Sequence, residues 1–289
     1  MFKKTIMLVA AFVMLLSKTV FAASSGNVDW NEQYIEATGW GAPSPVARNA
    51  AQSKYLARRA AMLDAYRQLA ETVQGVNINS ETTVEMMMVT NDVIHSKVSA
   101  TIQGAKVVSE KATSDGGYEV TMRVPLFGVN SVAKAVIPEE TNKEAFPAPS
   151  TSVSVNVKVN TGSSSAADPT ANAVNSIQKE GIYTGVIIDC RGLGLNPAMS
   201  PVIKNADGAS IYGYKNLDYD KVVSKGMAGY AHNQNAAYRA GNRPLVIKAI
   251  NVDGYTKANP VISNHDADKV LVENQATHFL DNTNVVFLY

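Results

Sequence analysis

The stretch between Pro45 and Gln74 constrains the fold of this chain more than any other feature. It contains no glycine and no proline after Pro45, and alanine is abundant. Its apolar residues recur at helical spacing, which places them on one face of an amphipathic helix. We therefore predict a long helix that Gly75 ends as a C-cap. The residues predicted to form its buried face are Ala51, Tyr55, Met62, Tyr66, Leu69 and Val73.

The segment after Gly75 alternates between apolar and polar or small residues. This period of two is typical of a half-buried strand, and we predict one here. A shorter helix is predicted from Asn91, which can cap its first turn, to Gly104, which can end it. The methionine run at 86–88 fits packing in a core or an edge strand, or an adaptable binding patch. The alternating residues are Val76, Ile78, Thr82, Val84, Met86 and Met88.

A hairpin pattern completes the first predicted domain. Two alternating segments, 105–112 and 118–126, flank the turn sequence Ser-Asp-Gly-Gly at 114–117, whose glycines can take positive φ. A short extended segment at 29–40 precedes the long helix. Because helices and a hairpin follow one another in this order, residues 28–138 are predicted to form an α+β domain with helices packed on a mostly antiparallel sheet.

A polar linker is predicted at 139–170, and a second α+β domain at 171–289. The linker is charged at first, contains one possible strand at 152–159, and then becomes small and flexible. The second domain is also predicted to have a mostly antiparallel sheet. Its predicted elements are a helix at 172–179, a strand at 183–190, a hairpin at 201–214, a helical turn at 219–224, a strand at 244–252, a helix at 267–274 and a strand at 284–289.

The first 22 residues have the composition of a cleavable signal peptide. Lys3 and Lys4 precede the apolar run Ile6–Leu16, and small residues permit cleavage between Ala22 and Ala23. The alternative is an uncleaved anchor, but the apolar run is shorter than the roughly 20 residues that a spanning helix needs. We therefore expect an exported protein of the periplasm or outer envelope, with no transmembrane segment in the mature chain.

Charge and cysteine content exclude several classes of function. The formal net charge is +1, so the basic face that nucleic-acid binding requires is not expected. Cys190 is the only cysteine, which rules out an intramolecular disulfide. Its apolar neighbours favour a buried strand residue over a reactive thiol nucleophile, which would need a nearby histidine.

No catalytic motif stands out in the sequence. The histidines are scattered at spacings that do not suit a metal site, and neither a nucleophile elbow nor a phosphate loop is present. Gly192 and Gly194 follow a predicted strand, but Pro197 stands at the third glycine position of a dinucleotide fingerprint. We expect no catalytic residue, no metal and no cofactor.

One group of polar residues in the second domain could line a ligand pocket. Asp189 and Arg191 end a predicted buried strand, a position where open sheets often bind ligands. Asp253 ends another predicted strand, and His265 precedes a helix. The alternative interpretation is a set of ordinary ion pairs and helix caps. The pocket residues are Asp189, Arg191, Arg239, Asp253 and His265.

The first domain resembles a known family. Its long helix ends in the sequence AYRQLAETVQGV at 65–76, and the second hairpin strand reads GGYEVTMRVP at 116–125. These motifs resemble the LPP-twenty lipoprotein family, and they are similar to the N-terminal domain of flagellar assembly protein T, over roughly residues 30–137. The resemblance implies a non-catalytic α+β domain of the cell envelope that serves in assembly or surface structures. The lipobox cysteine of the lipoproteins is missing here.

These observations predict a non-enzymatic exported envelope protein with a structural or assembly role, in an envelope or flagellar-type surface structure. Its expected partners are other envelope proteins. The alternative is a periplasmic ligand-binding module that uses the region of Asp189 and Arg191. An envelope hydrolase has the least support, because no nucleophile or metal set is recognisable.

Overall fold

The computed structural model describes residues 26–140, 142–150, 177 and 179–289. The predicted signal peptide, the predicted strand at 152–159 and most of the predicted helix at 172–179 lie outside these residues. We refer to residues 26–140 as the N-terminal half and to residues 177–289, as far as they are described, as the C-terminal half.

The N-terminal half combines a four-stranded sheet with four helices. The sheet has the order β1-β2-β4-β3, and every neighbouring pair is antiparallel, as predicted. The elements in chain order are β1 (Asn27–Asp29), β2 (Tyr34–Gly41), α1 (Ala50–Gln74), α2 (Val84–Thr90), α3 (Asp92–Gln103), β3 (Lys106–Ala112), β4 (Tyr118–Pro125) and α4 (Val132–Val136).

The long predicted helix is present as α1, and its end at Gly75 is confirmed. The helix begins at Ala50, and the side chain of Asn49 caps it by accepting a hydrogen bond of 2.8 Å from the backbone N–H of Gln52. The predicted buried face was partly wrong, because Ala51 and Tyr55 are exposed. The buried residues are Ala57, Ala61, Ala65, Gln68, Leu69 and Val73.

Close approach between α1 and β2 explains this rotation of the helix. A Cβ atom on Gly39 would lie 2.2 Å from the carbonyl oxygen of Ala61, and one on Gly41 would lie 1.9 Å from that of Ala57. The backbones are thus so close that only small residues fit between them. Alanine therefore faces the sheet, and larger side chains such as that of Tyr55 are turned outward.

The predicted strand after Gly75 is wrong at residues 84–90, where the chain forms helix α2. Thr83 caps this helix by accepting a 3.3 Å hydrogen bond from the backbone N–H of Met86. Val84 and Met88 are buried and Met86 is exposed. A spacing of four belongs to both a strand and a helix, so Val84 and Met88 could not distinguish the two. The cap at Thr83 was the missed signal.

Helix α3 and the β3–β4 hairpin are confirmed. The side chain of Asn91 accepts hydrogen bonds from the backbone N–H groups of Val93 and Ile94, at 3.0 and 3.1 Å. In the hairpin turn, the carboxylate of Asp115 accepts a hydrogen bond of 3.1 Å from the N–H of Gly117. Short-range cap and turn chemistry therefore fixes these elements where the sequence indicated.

The C-terminal half contains a parallel sheet and a small mixed sheet. Their orders are β8-β12-β5-β9 and β10-β11-β6-β7. The elements are β5 (Gly185–Asp189), β6 (Ile203–Lys204), β7 (Ser210–Tyr212), α5 (Tyr219–Lys225), β8 (Gly229–Ala231), β9 (Pro244–Lys248), β10 (Asn251–Asp253), β11 (Asn259–Val261), α6 (Asn264–Thr277) and β12 (Val285–Leu288).

The α+β class is confirmed for the chain, but the mostly antiparallel sheet predicted for the second domain is wrong, because one sheet of the C-terminal half is entirely parallel. Strand β5 lies between β12 and β9, and both pairs are parallel. These partners are distant in sequence, so local patterns carry no information on their direction. The predicted strand at 244–252 is divided into β9 and β10, which belong to different sheets.

The two halves pack against each other through backbone hydrogen bonds and apolar contacts. The N–H of Met199 donates to the carbonyl of Asn77 at 3.0 Å, and the N–H of Ser200 donates to that of Ile78 at 2.7 Å. The ring of Trp30 meets that of Tyr230 edge-on at a centroid distance of 5.3 Å. Buried residues of both halves belong to one apolar cluster. The exact domain boundaries stay a prediction.

Residues 142–150, which we call the strap, lie across the C-terminal half. The backbone N–H of Glu144 donates to the carbonyl of Lys215 at 2.7 Å, and the ring of Phe146 stacks on that of Tyr212 at a centroid distance of 6.2 Å. The N–H of Ser150 donates to the carboxylate of Asp268 on α6 at 2.6 Å. This part of the predicted linker is therefore packed against the fold.

Candidate functional site

Asp189 and Arg191, the centre of the predicted pocket, form an ion pair at the end of β5. A carboxylate oxygen of Asp189 lies 2.6 Å from Nη2 of Arg191. The hydrogen bond from Arg191 lowers the pKa of the Asp189 carboxyl below its ordinary value. Both residues are close in sequence, so the pair corresponds to the alternative interpretation in which ordinary ion pairs occupy these positions.

The other three predicted pocket residues have separate surroundings. Arg239 donates to the carbonyl and the hydroxyl of Thr283, at 2.7 and 2.9 Å, and burial lowers the pKa of its guanidinium to about 10. Asp253 pairs with Lys204 at 2.5 Å, and the hydrogen bond from this lysine lowers the pKa of the carboxyl. His265 is exposed in the first turn of α6.

The predicted pocket therefore gains little support from these contacts. Asp189 bonds with Arg191, whereas the contacts described for Arg239 and Asp253 lead to Thr283 and Lys204. The pocket stays a prediction. In the part of the chain that the structure describes, no group of three or more His, Cys, Asp or Glu side chains is arranged as a metal site.

Cys190 follows β5 and is buried, as predicted. Burial, followed by the nearby charge of Asp189, raises the pKa of its thiol to about 12. A thiol of this kind is protonated at neutral pH and is a poor nucleophile. Its environment therefore corresponds to a core residue.

A cavity that the sequence did not indicate lies between the strap and α6. Its volume is about 560 Å³. Its walls come from two segments far apart in sequence, so no local motif could have predicted it. The lining residues are Lys143, Glu144, Ala145, Phe146, Pro147, Ala148, Leu271, Asn274, Gln275, His278 and Asp281.

Asp281 is the acidic group in the wall of this cavity. One carboxylate oxygen lies 3.3 Å from Nζ of Lys143, and the other accepts a 3.0 Å hydrogen bond from the amide of Asn274. Nδ1 of His278 lies 3.6 Å from the same carboxylate. Burial raises the pKa of Asp281, but the hydrogen bonds from Asn274 and Lys143 outweigh it, and the net pKa is lowered. The carboxylate is thus held in its charged form.

Three large apolar side chains are exposed on the helix pair α2–α3. The exposed fractions are 51% for Met86, 81% for Val89 and 62% for Val93. Met86 and Val89 are three residues apart on α2 and so share one face, and Val93 lies in the first turn of α3. We call these three residues the α2–α3 apolar surface.

Strand β3 is also exposed, at one edge of its sheet. The register shifts between Val107 and Ser109, which makes Val108 a bulge residue, and lysines occupy positions 106 and 111. Bulges and lysines are devices by which proteins prevent an edge strand from pairing with another chain. The exposed edge therefore does not mark a contact site by itself.

Comparisons with known proteins give a separate result for each half. Residues 30–124 match the LPP20 lipoprotein family. The match covers β2, β3, most of β4 and the helices α1, α2 and α3, and it confirms the resemblance of the first domain to LPP20 lipoproteins. Residues 185–289 match the model of the second domain of Treponema pallidum Tp0624. No curated protein matches the chain.

The LPP20 match lies entirely within the N-terminal half. It begins at Trp30 and ends at Val124, so that α4 and the strap follow it. The Tp0624 match begins at the first residue of β5 and includes both sheets of the C-terminal half. The two matches thus agree with an architecture of two domains. Among the residues that the structure describes, no helix combines the length and apolar character needed to cross a membrane.

Proposed function

We propose that this chain is a non-enzymatic, exported protein of the cell envelope with a structural or assembly role, and that it contacts partner proteins through the α2–α3 apolar surface. The observation that carries this proposal is the exposure of Met86, Val89 and Val93 on two short adjoining helices. Clustered apolar side chains bordered by polar residues are typical of protein contact sites. A flagellar-type structure, which the similarity of some motifs to flagellar assembly protein T implies, is one setting for such a role.

The helices that carry this surface are held firmly in place. Val84 and Met88 on α2 are buried, as are Val98 and Ile102 on α3. Because the inward faces of both helices are fixed in the core, the outward face is already ordered before a partner binds. Binding then costs little conformational entropy of the backbone. The flexible side chain of Met86 can adapt to the shape of a partner. Glu85 and Asp92 border the surface with negative charge.

A site-specific crosslinking experiment tests this function. A photoreactive amino acid at Val89 is expected to capture an envelope protein in living cells. Substituting Val93 with aspartate should abolish that product, because a charge in an apolar contact is costly. Val129 is 88% exposed and lies outside the surface, so Val129→Asp is the matched control and should leave the product unchanged.

Two results would contradict the proposal. A crosslinked product that persists in the Val93→Asp variant would mean that the surface does not make the contact. A product lost equally in the Val129→Asp variant would show a general effect of added charge. The circular dichroism spectrum of each variant verifies that it is folded.

The alternative function is a periplasmic ligand-binding module that uses the region of Asp189 and Arg191. It is favoured by the position of Asp189 at the carboxyl end of β5 in a parallel sheet, where ligand sites are common. A panel of envelope glycans screened against the protein and its Arg191→Ala variant distinguishes the two functions. Binding that disappears in the variant would support the alternative.

A further inference from the structure

Three lysine side chains contact the loop that follows α6, at Asp281 and Asn282. Nζ of Lys143 lies 3.3 Å from the carboxylate of Asp281. Nζ of Lys221 donates to the carbonyl of Asp281 at 3.1 Å, and Nζ of Lys225 donates to the carbonyl of Asn282 at 2.6 Å. Three primary ammonium groups therefore bind to two consecutive residues.

Lys143 differs from the other two lysines in its location. Lys221 and Lys225 belong to α5, whereas Lys143 belongs to the strap and lines the cavity. Its side chain is 45% exposed, so the ammonium group can turn toward solvent and no buried contact has to be broken. Among these three lysines, it is therefore the one whose ammonium group a ligand could replace from within the cavity.

We propose that the cavity between the strap and α6 binds a small ligand that carries a primary ammonium group on an apolar body. The ammonium group takes the position of Lys143 at the carboxylate of Asp281. The apolar body lies against Phe146, Pro147 and Leu271. The volume of about 560 Å³ is within the usual range of small-ligand pockets. This site is separate from the α2–α3 apolar surface.

Charge balance favours a cation over an anion at this site. Replacing the ammonium of Lys143 with that of a ligand leaves the charge next to Asp281 unchanged. An anion would instead face the carboxylate of Asp281 and the negative end of the α6 dipole. The other nearby cations, Lys221 and Lys225, keep their own carbonyl acceptors, and Glu144 is paired with Lys215 at 2.8 Å. His278 faces the same carboxylate and remains in place.

Calorimetric titration of the full chain with n-hexylamine tests this inference. The ammonium group of Lys143 competes with the ligand, so Lys143→Ala is expected to bind hexylamine about tenfold more tightly than the unmodified protein. The control is Lys215→Ala, which also removes an ion pair of the strap but leaves Lys143 on Asp281. That variant should bind as the unmodified protein does. 1-Hexanol and hexanoate, which have no ammonium group, should bind at least tenfold more weakly to Lys143→Ala.

Further measurements locate the binding and make the outcomes decisive. Hexylamine should shift the ring proton signals of His278 in the NMR spectrum of Lys143→Ala, and Lys143→Ala/Asp281→Asn should lose the binding. Equal binding of hexanol would show an apolar pocket without ammonium recognition and overturn the proposal. It would also be overturned if Lys143→Ala bound hexylamine no better than Lys215→Ala. The comparison of hexylamine with hexanol does not depend on whether the Asp281 variant folds.

Discussion

The ring of Phe127, in the N-terminal half, lies directly against Gly226 in the C-terminal half. A Cβ atom on Gly226 would be 2.7 Å from Cζ of Phe127, and the φ angle of this glycine is +77°. Next to this contact, the N–H of Gly128 donates to the carbonyl of Val223 at 2.8 Å. Glycine is thus required at position 226 both by its backbone angle and by the phenylalanine of the other half.

Replacing Gly226 with alanine is therefore expected to destabilise the packing of the two halves. A positive φ combined with a ψ of 168° is a backbone conformation nearly confined to glycine and costs about 1–3 kcal/mol, and displacing the Phe127 ring adds about 1–3 kcal/mol. The free energy of unfolding, measured by urea denaturation, checks this. Gly208→Ala is the matched control, because its φ is +83° and no atom lies within 4 Å of the added Cβ. Equal losses in both variants would show that the contact with Phe127 does not matter.

The close approach of α1 to β2 gives a second prediction. Gly39→Ala should destabilise the fold by about 3 kcal/mol or more, because the new methyl group would lie 2.2 Å from backbone atoms of Ala61 and Ala65, which cannot move independently. Gly75→Ala is the comparison, since the nearest atom to its added Cβ is 3.6 Å away. Thermal unfolding followed by circular dichroism distinguishes them. A melting temperature of Gly39→Ala near that of Gly75→Ala would contradict the tight packing.

The ion pair of Asp189 and Arg191 should contribute a small, pH-dependent part of the stability. Arg191 lowers the pKa of Asp189, so the pair stabilises the folded state above the unfolded pKa of about 3.9. The contribution is lost as the pH falls through the lower pKa of the folded state. Because Arg191 is half exposed and water screens its charge, Arg191→Ala should lower the stability only slightly near pH 7. Chemical denaturation of both proteins should show this difference disappearing at lower pH, and a constant difference would refute it.

The buried thiol of Cys190 should report on unfolding. Because burial raises its pKa to about 12 and shields it from solvent, we expect no reaction with Ellman's reagent at pH 8 in the folded protein. One equivalent should react in denaturant, because this is the only cysteine. Absorbance at increasing urea concentrations measures the transition. Rapid reaction without denaturant would mean that β5 opens readily.

Much of the fold could be predicted from local sequence because its causes are local. Asn91 and Gly104 delimit α3 through hydrogen bonds to backbone groups a few residues away. Gly116 allows the hairpin turn by taking a φ of +84°, which is also a local property of the residue. Helix α2 was missed because Val84 and Met88 fit a period of two as well as a helical turn, and the capping role of Thr83 was overlooked.

The candidate sites were less predictable, because they depend on residues far apart in the chain. The cavity joins Lys143 on the strap to Asp281 after α6, and no spacing rule relates these positions. The proposed contact surface depends on the outward direction of Met86 and Val89, which the predicted strand would have placed differently. Asp189 and Arg191 were correctly placed at the end of a strand. Each side chain finds its charged partner in the other.

The sequence by itself determined the helical length of α1, the caps, the hairpin turn and the α+β class, since periodicity and short-range hydrogen bonding decide them. The tertiary structure alone decided which face of α1 is buried, because Gly39 and Gly41 bring β2 too close for any side chain larger than alanine. It also decided the parallel direction of β12 and β9 beside β5. Such pairings join segments separated by long stretches of chain, and their energy depends on packing that no local pattern records.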